Sequence, residues 1–237
     1  MSKLNLNLEL GKRGYNITIL GLTRSGKTVF VQKVLLPIWS KFKLPVAIWD
    51  YDDHTDWQGF GVRTNNLREM KKLLQERKMV RYVPELSLAA DLQLGSDLVK
   101  ALQEEYNRFA KVIFELPDEY KTKTFPCVVV TEEASDVAPS YNLPLGMQNL
   151  LRKGNKRLIS TISIAQRGAQ LNTTVVGQSP LIIMFRQKAG DIEYLQTKKI
   201  LGRDDAEKLS RLQKYHHLIQ WDFWDDGIVQ EFPPIKI

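Results

Sequence analysis

The stretch Gly21-Leu-Thr-Arg-Ser-Gly26-Lys27-Thr28 constrains this chain more than any other part of it. It fits G-x-x-x-x-G-K-[S/T] and has the context that pattern requires. Before it, residues 16–20 (NITIL) form a short β-rich apolar run. After it, residues 27–36 read as a helix ending near Pro37. A strand, a tight loop and a helix in that order make an anion cradle. The glycines let the backbone turn and aim its N–H groups inward, and the helix offers its positive dipole end. Lys27 would reach the β- and γ-phosphates, and Thr28 would offer its hydroxyl to Mg²⁺. The expected ATP-binding set is Gly21, Thr23, Arg24, Ser25, Gly26, Lys27, Thr28 and Val29. Arg24 either adds charge to the loop or is simply solvated.

The rest of the chain alternates. Residues 45–49 (PVAIW) read as a second strand, stopped by Asp50, Asp52 and Asp53. Residues 54–66 read as a polar loop, residues 67–77 as an amphipathic helix and residues 80–83 as a third strand. From Ser96, a plausible N-cap, to Leu116, the apolar residues Leu98, Leu102, Phe109, Ile113 and Leu116 recur with the period of one helical face. Residues 127–130 are an unbroken apolar run, as in a strand buried on both faces. A helix at 145–153, strands at 158–164 and 181–185, and a helix at 191–211 broken at Gly202 follow. Residues 217–223 and 228–232 read as a hairpin. Strands alternating with helices imply an α/β fold with a mainly parallel central sheet, extended at one edge by the C-terminal antiparallel hairpin. With no linker or repeat in view, residues 1–237 are expected to form one domain.

A phosphate loop needs a carboxylate near Mg²⁺ at the end of a buried strand. Cys127-Val-Val-Val-Thr131-Glu132-Glu133 supplies two, at the sheet edge where α/β proteins bind ligands. Glu132 would hold the metal and Glu133 would orient or deprotonate the attacking water. The bland alternative is a helix N-terminus, which also attracts acids. Asp50 is the rival metal-side acid, but its strand directly follows the phosphate-loop helix. Cys127 reads as core filling.

Charge is unevenly placed. The chain has 34 Lys and Arg against 27 Asp and Glu, a net of +7. Residues 137–190 contain no acid and seven bases: Arg152, Lys153, Lys156, Arg157, Arg167, Arg186 and Lys188. The remainder, 34 − 7 = 27 bases, balances the 27 acids. An anionic partner is favoured, without being identified. One cysteine excludes an internal disulfide and a Cys-based zinc site. No apolar run reaches the roughly 18 residues that span a membrane, and the first residues lack the apolar core of a signal peptide. The expected setting is the cytoplasm, with no membrane insertion.

Three pieces together resemble the FtsK–HerA superfamily of DNA-translocating ATPases: GLTRSGKT, VVVTEE, and the later strand ISTISIAQRGAQLN. In that family a glutamine closes the strand after the acidic pair, within a sequence similar to ATQRP. Here Ala165-Gln166-Arg167 stands in that place. Residues 152–159 (RKGNKRLI) resemble the family's GRK segment. The resemblance spans roughly Tyr15 to Phe232 and implies a RecA/ASCE-like P-loop NTPase. Two departures stand out. Glu132-Glu133 replaces the usual Asp-Glu, and Gly168 replaces a proline, which suggests a more mobile loop.

The resemblance further implies that Gln166 senses the γ-phosphate and that Arg152 is an arginine finger offered to a neighbouring subunit, with Arg157 as the second candidate. It implies double-stranded DNA as partner and a homo-oligomeric ring, hexameric or pentameric. No β-barrel, membrane segment or DNA-reading tail is legible in these residues. Minimal forms of this kind resemble the genome-packaging ATPases of membrane-containing icosahedral viruses, with capsid or vertex proteins as partners and the host cytoplasm or the virion as location. A cellular HerA-like or conjugation-type translocase is the near alternative, and a P-loop kinase the distant one. A translocase grips phosphates with loops lining a ring. Residues 54–66, with Arg63 and Trp57, and residues 134–148 are the candidates. Trp57 would stack or wedge against DNA, or else pack. The Trp221/Trp224 pair would cover the sheet edge or a subunit contact.

Overall fold

The structure is a computed structural model that describes residues 12–85, 96–119, 122–221 and 229–234. Its strands are β1 (Asn16–Leu20), β2 (Val46–Trp49), β3 (Val62–Thr64), β4 (Met79–Tyr82), β5 (Cys127–Thr131), β6 (Ile159–Ala165), β7 (Leu181–Phe185), β8 (His217–Trp221) and β9 (Val229–Phe232). They form one sheet in the order β3-β4-β2-β5-β6-β1-β7-β8-β9. Pairing is parallel from β3 through β7 and antiparallel for β7–β8 and β8–β9. The mainly parallel sheet with an antiparallel C-terminal hairpin at its edge is as expected. The hairpin's turn and Trp224 lie outside the described residues. Trp221 is buried, its ring 6.1 Å from that of Tyr15.

The helices are α1 (Lys27–Phe30), α2 (Leu36–Ser40), α3 (Leu67–Gln75), α4 (Ser96–Glu119), α5 (Ala134–Val137), α6 (Leu145–Lys153), α7 (Thr173–Gly177), α8 (Ala189–Thr197) and α9 (Arg203–Arg211). They cover both faces, so strand side chains are buried in alternation. Val128 and Val130 of β5 pack with Phe30, Val31 and Trp39 on the side of the first helices. Cys127 and Val129 pack with α4 residues such as Phe109 and Ile113 on the other. Cys127 is fully buried, and burial pushes its thiol up to about 12, so core filling is its role.

Three expectations need correction. The first helix does not stop at Pro37. It runs on to Ser40 through a π-helical turn, Val31–Leu35, that joins α1 to α2. A proline inside a helix loses one hydrogen bond and collides with the carbonyl four residues back. The wider π turn just before it relieves that conflict. Residues 54–66 are not a plain loop either. They contain a 3₁₀ turn, Thr55–Trp57, and the edge strand β3. Gly61, at φ 75, packs its backbone against Met79, and its conformation and lack of a side chain let β3 approach β4. Gly168 does not make a mobile loop. It is buried in a 3₁₀ turn, and a Cβ there would come within 3.2 Å of Leu195 and 3.5 Å of Leu20. Among the described residues no helix is long and apolar enough to cross a membrane.

Candidate nucleotide site

Strand order builds the site. β6 lies between β1, which leads into the phosphate loop, and β5, which ends in Glu132-Glu133. The residue that follows β6 is Gln166, so it stands between the two. The Thr23 hydroxyl donates to Gln166 Oε1 at 2.7 Å. Gln166 Nε2 donates to Glu133 Oε1 at 2.6 Å. One amide thus clasps the phosphate loop to the acidic strand end.

The loop is shaped for an anion. Gly26 sits at φ 108 and Arg24 at φ 59, two left-handed residues that curl the backbone. A Cβ on Gly21 would lie 2.6 Å from Phe185 Cβ and 2.7 Å from Ser25 Oγ, so only glycine fits. Among the described residues Ser25 Oγ is buried without a hydrogen-bond partner, a free polar atom inside the cradle. Lys27 is buried, and its ammonium donates to Gly21 O at 2.7 Å and Leu22 O at 3.1 Å. Burial lowers its pKa, opposed by Glu133 and Glu132. Thr28 and Val29 are half-buried at the helix start, and Arg24 is exposed. These residues fit a nucleotide's phosphates.

The two acids diverge. Glu133 caps α5 in a left-handed conformation, φ 46 and ψ 53, which breaks the strand abruptly. Glu132 is 4% exposed and accepts from Trp57 Nε1 at 2.7 Å. Burial pushes its carboxyl up to about 7, against the pull of the Trp57 hydrogen bond. In front of Glu133 and Gln166 opens a polar cavity of about 220 Å³, also lined by Asp52, His54 and Asp136. Among the described residues no group of three or more His, Cys, Asp or Glu could hold a metal alone. Magnesium commonly takes one or two carboxylates and completes its shell with substrate phosphates and water. Thr28 and Glu132 would be its protein ligands.

Trp57 is fully buried, so it does not face outward to stack on DNA. The rival acid Asp50 is also buried and already paired. Arg81 Nη1 donates to it at 3.2 Å and His54 Nδ1 lies 2.8 Å away. Nothing in the motif order pointed to the Trp57–Glu132 contact. Arg81 was a usable signal for Asp50, because a charge inside a buried strand demands a partner. Arg63 pairs with Asp53 at 3.1 Å.

The acid-free segment divides between the two ends of the sheet. Where β6 begins, Arg152, Lys153 and Lys156 are exposed. Arg157 there donates to Phe114 O at 2.9 Å and Asp118 at 3.0 Å, and stacks on the Phe114 ring. Where β6 and β7 end, Arg167 binds the buried Asp191 at 3.1 Å, while Arg186 and Lys188 are exposed beside the phosphate loop. The Leu22 N–H donates to Arg186 O at 3.0 Å. β6 has seven residues, a span of roughly 20 Å, so Arg152 does not reach its own chain's phosphate loop.

No protein-family model and no curated protein matches the chain. Solved structures do. The genome packaging NTPase B204 from Sulfolobus turreted icosahedral virus 2, with ATP-gammaS, matches at a TM-score of 0.73 and 18% identity over 94% of this chain and 98% of that one. Its complex with AMPPCP gives 0.75 at 17% identity over 94% and 99%. VirB4 of Thermoanaerobacter pseudethanolicus gives 0.62 at 11% identity over 94% and 89%. The chain therefore has the P-loop NTPase fold anticipated from the FtsK–HerA resemblance, in the arrangement it shares with a viral packaging enzyme and a VirB4 protein.

Proposed function

We propose that this chain is a magnesium-dependent ATPase that moves double-stranded DNA and packages a viral genome. The observation that carries the reading is the clasp Thr23–Gln166–Glu133, which ties the phosphate loop to the proposed catalytic acid. The near full-length likeness to a packaging NTPase favours this motor over a kinase.

Bound magnesium would supply positive charge against the β- and γ-phosphate oxygens. The chain's own residues do the rest. Lys27 exchanges its loop carbonyls for phosphate oxygens, and the loop N–H groups complete the cradle. Glu133 holds the attacking water and takes its proton. Gln166, bonded to both sides, registers whether Thr23 and Glu133 keep their distance, and so reports loss of the γ-phosphate. Arg152 acts on the nucleotide of a neighbouring copy in the ring, where it offsets transition-state charge. Residues 138–144, with Tyr141 77% exposed, are the foremost candidates for gripping DNA.

ATP turnover measured with and without double-stranded DNA, on material sized by light scattering, tests this. DNA-stimulated turnover by an oligomer is expected, abolished by Lys27→Ala. Turnover by a monomer indifferent to DNA would defeat the motor reading. Arg152→Ala is expected to cut turnover with nucleotide binding nearly intact. Mixing it with Glu133→Gln subunits restores some activity if the arginine acts in trans.

A further inference from the structure

Trp57 occupies an unusual place for a residue from a polar loop. Its ring is fully buried, and its Nε1 donates to Glu132 Oε2 at 2.7 Å. The turn that carries it is pinned on several sides. Asp50 Oδ1 accepts from the His54 backbone N–H at 3.1 Å, and Arg81 Nη1 donates to His54 O at 3.4 Å. Trp57 N–H donates to His54 O at 3.0 Å. From the phosphate-loop helix, Gln32 Nε2 donates to Asp56 O. Phe60 packs edge-on against the indole at 5.9 Å. The indole N–H is therefore a donor of fixed position. Among the described residues no other hydrogen bond reaches the Glu132 side chain.

The chemistry of that donor is selective. A lysine or arginine there would pair with the carboxylate and compete with a metal for it. A phenylalanine would leave a buried carboxylate oxygen unsatisfied, which is costly. An indole N–H satisfies one oxygen, adds no formal charge, and leaves the other oxygen to a ligand. We propose that Trp57 is a positioning residue for the metal-side acid: it fixes the Glu132 carboxylate so that Oε1 meets the magnesium that ATP carries. This rests on the reading of Glu132 as the magnesium-side acid. Outer partners that orient a metal ligand are typically worth about 10–100-fold in metal affinity.

The test is binding of AMPPCP by titration calorimetry, in EDTA and across a MgCl₂ series, for wild type, Trp57→Phe and Glu132→Gln. Trp57→Phe keeps an aromatic ring and removes the donor. Its affinity in EDTA is expected within about twofold of wild type, with the magnesium needed for half-maximal tightening raised about tenfold. A purely packing role for Trp57 would weaken binding alike with and without magnesium, and that result overturns the proposal. A wild-type magnesium response in Trp57→Phe also overturns it, provided Glu132→Gln loses the response. If Glu132→Gln keeps a wild-type response, the metal reading of Glu132 falls instead, and the role of Trp57 with it. Should Trp57→Phe fail to fold, β-(3-benzothienyl)-alanine at position 57 keeps the indole shape without the N–H and gives the same comparison.

Discussion

β2 and β5 lie side by side, with Trp49 paired to Thr131, and each is followed by a buried acid. Asp50 and Glu132 are thus neighbours at one sheet edge, yet their surroundings are opposite. Asp50 has its cation built in. Arg81, 5% exposed, bonds Asp50 and Asp53, and His54 bonds Asp50 as well. The link to Asp50 pushes His54 up to about 9. Glu132 has a neutral indole as its hydrogen-bond donor, and burial raises its carboxyl. An acid that meets its cation inside the fold serves the fold. An acid buried with cations near it but, among the described residues, none bonded to it is poised to receive one from outside.

The sharpest way to break that contrast is Asp50→Asn. It leaves Arg81 buried with one of its two carboxylate partners gone, and removing one member of a buried pair costs about 3–5 kcal/mol. Urea unfolding should show that loss, and a loss under 1 kcal/mol would make Asp50 dispensable to the fold. Glu132→Gln should do the reverse. ATP turnover is expected to fall at least about a hundredfold, or roughly 2.7 kcal/mol, with stability retained. The pH dependence sharpens this. Burial holds the folded Glu132 carboxyl at about 7, above the ordinary glutamate value of 4.5 that the unfolded chain has, so its ionisation removes stability as pH rises between those values. In EDTA, Glu132→Gln should therefore gain on wild type from pH 5 to pH 8, by about 2 kcal/mol. A difference flat with pH would contradict the dominance of burial over the nearby Lys27 and His54 charges at Glu132. The smallest effect belongs to Arg157→Ala, which lifts a half-buried side chain off Phe114 and Asp118. About 1 kcal/mol of stability should go, with turnover changed less than in Arg152→Ala.

The site was legible where its chemistry depends on order along the chain. The phosphate loop and the acids after an apolar strand announce themselves by spacing, and the family resemblance pointed to the glutamine after the next strand. The fold followed from the same alternation, because a strand buried on both faces shows as an apolar run. Contacts across the sheet were not legible. Thr23 meets Gln166 143 residues away, and Trp57 meets Glu132 75 residues away. Nothing in local composition encodes those distances. The basic segment misled for the same reason. Counting charges merged seven residues that β6 separates to opposite ends, and it did not show that Arg157 and Arg167 are paired with Asp118 and Asp191.

The π turn at Val31–Leu35 has a consequence for how the first helix meets the sheet. Successive residues of an α-helix advance by 100°. On an unbroken one, the face centred on Phe30, Val31 and Leu35 would point about a quarter-turn away from the face centred on Leu35, Leu36 and Trp39. All five of these residues are buried, in the same cluster. A widened turn absorbs roughly one extra residue, so it brings the two halves back into phase. The helix behaves as a spliced pair of stripes. The first half is committed to the orientation of Lys27 and Thr28 over the loop, and the second to filling the space under Trp39. The splice lets each be set without rotating the other.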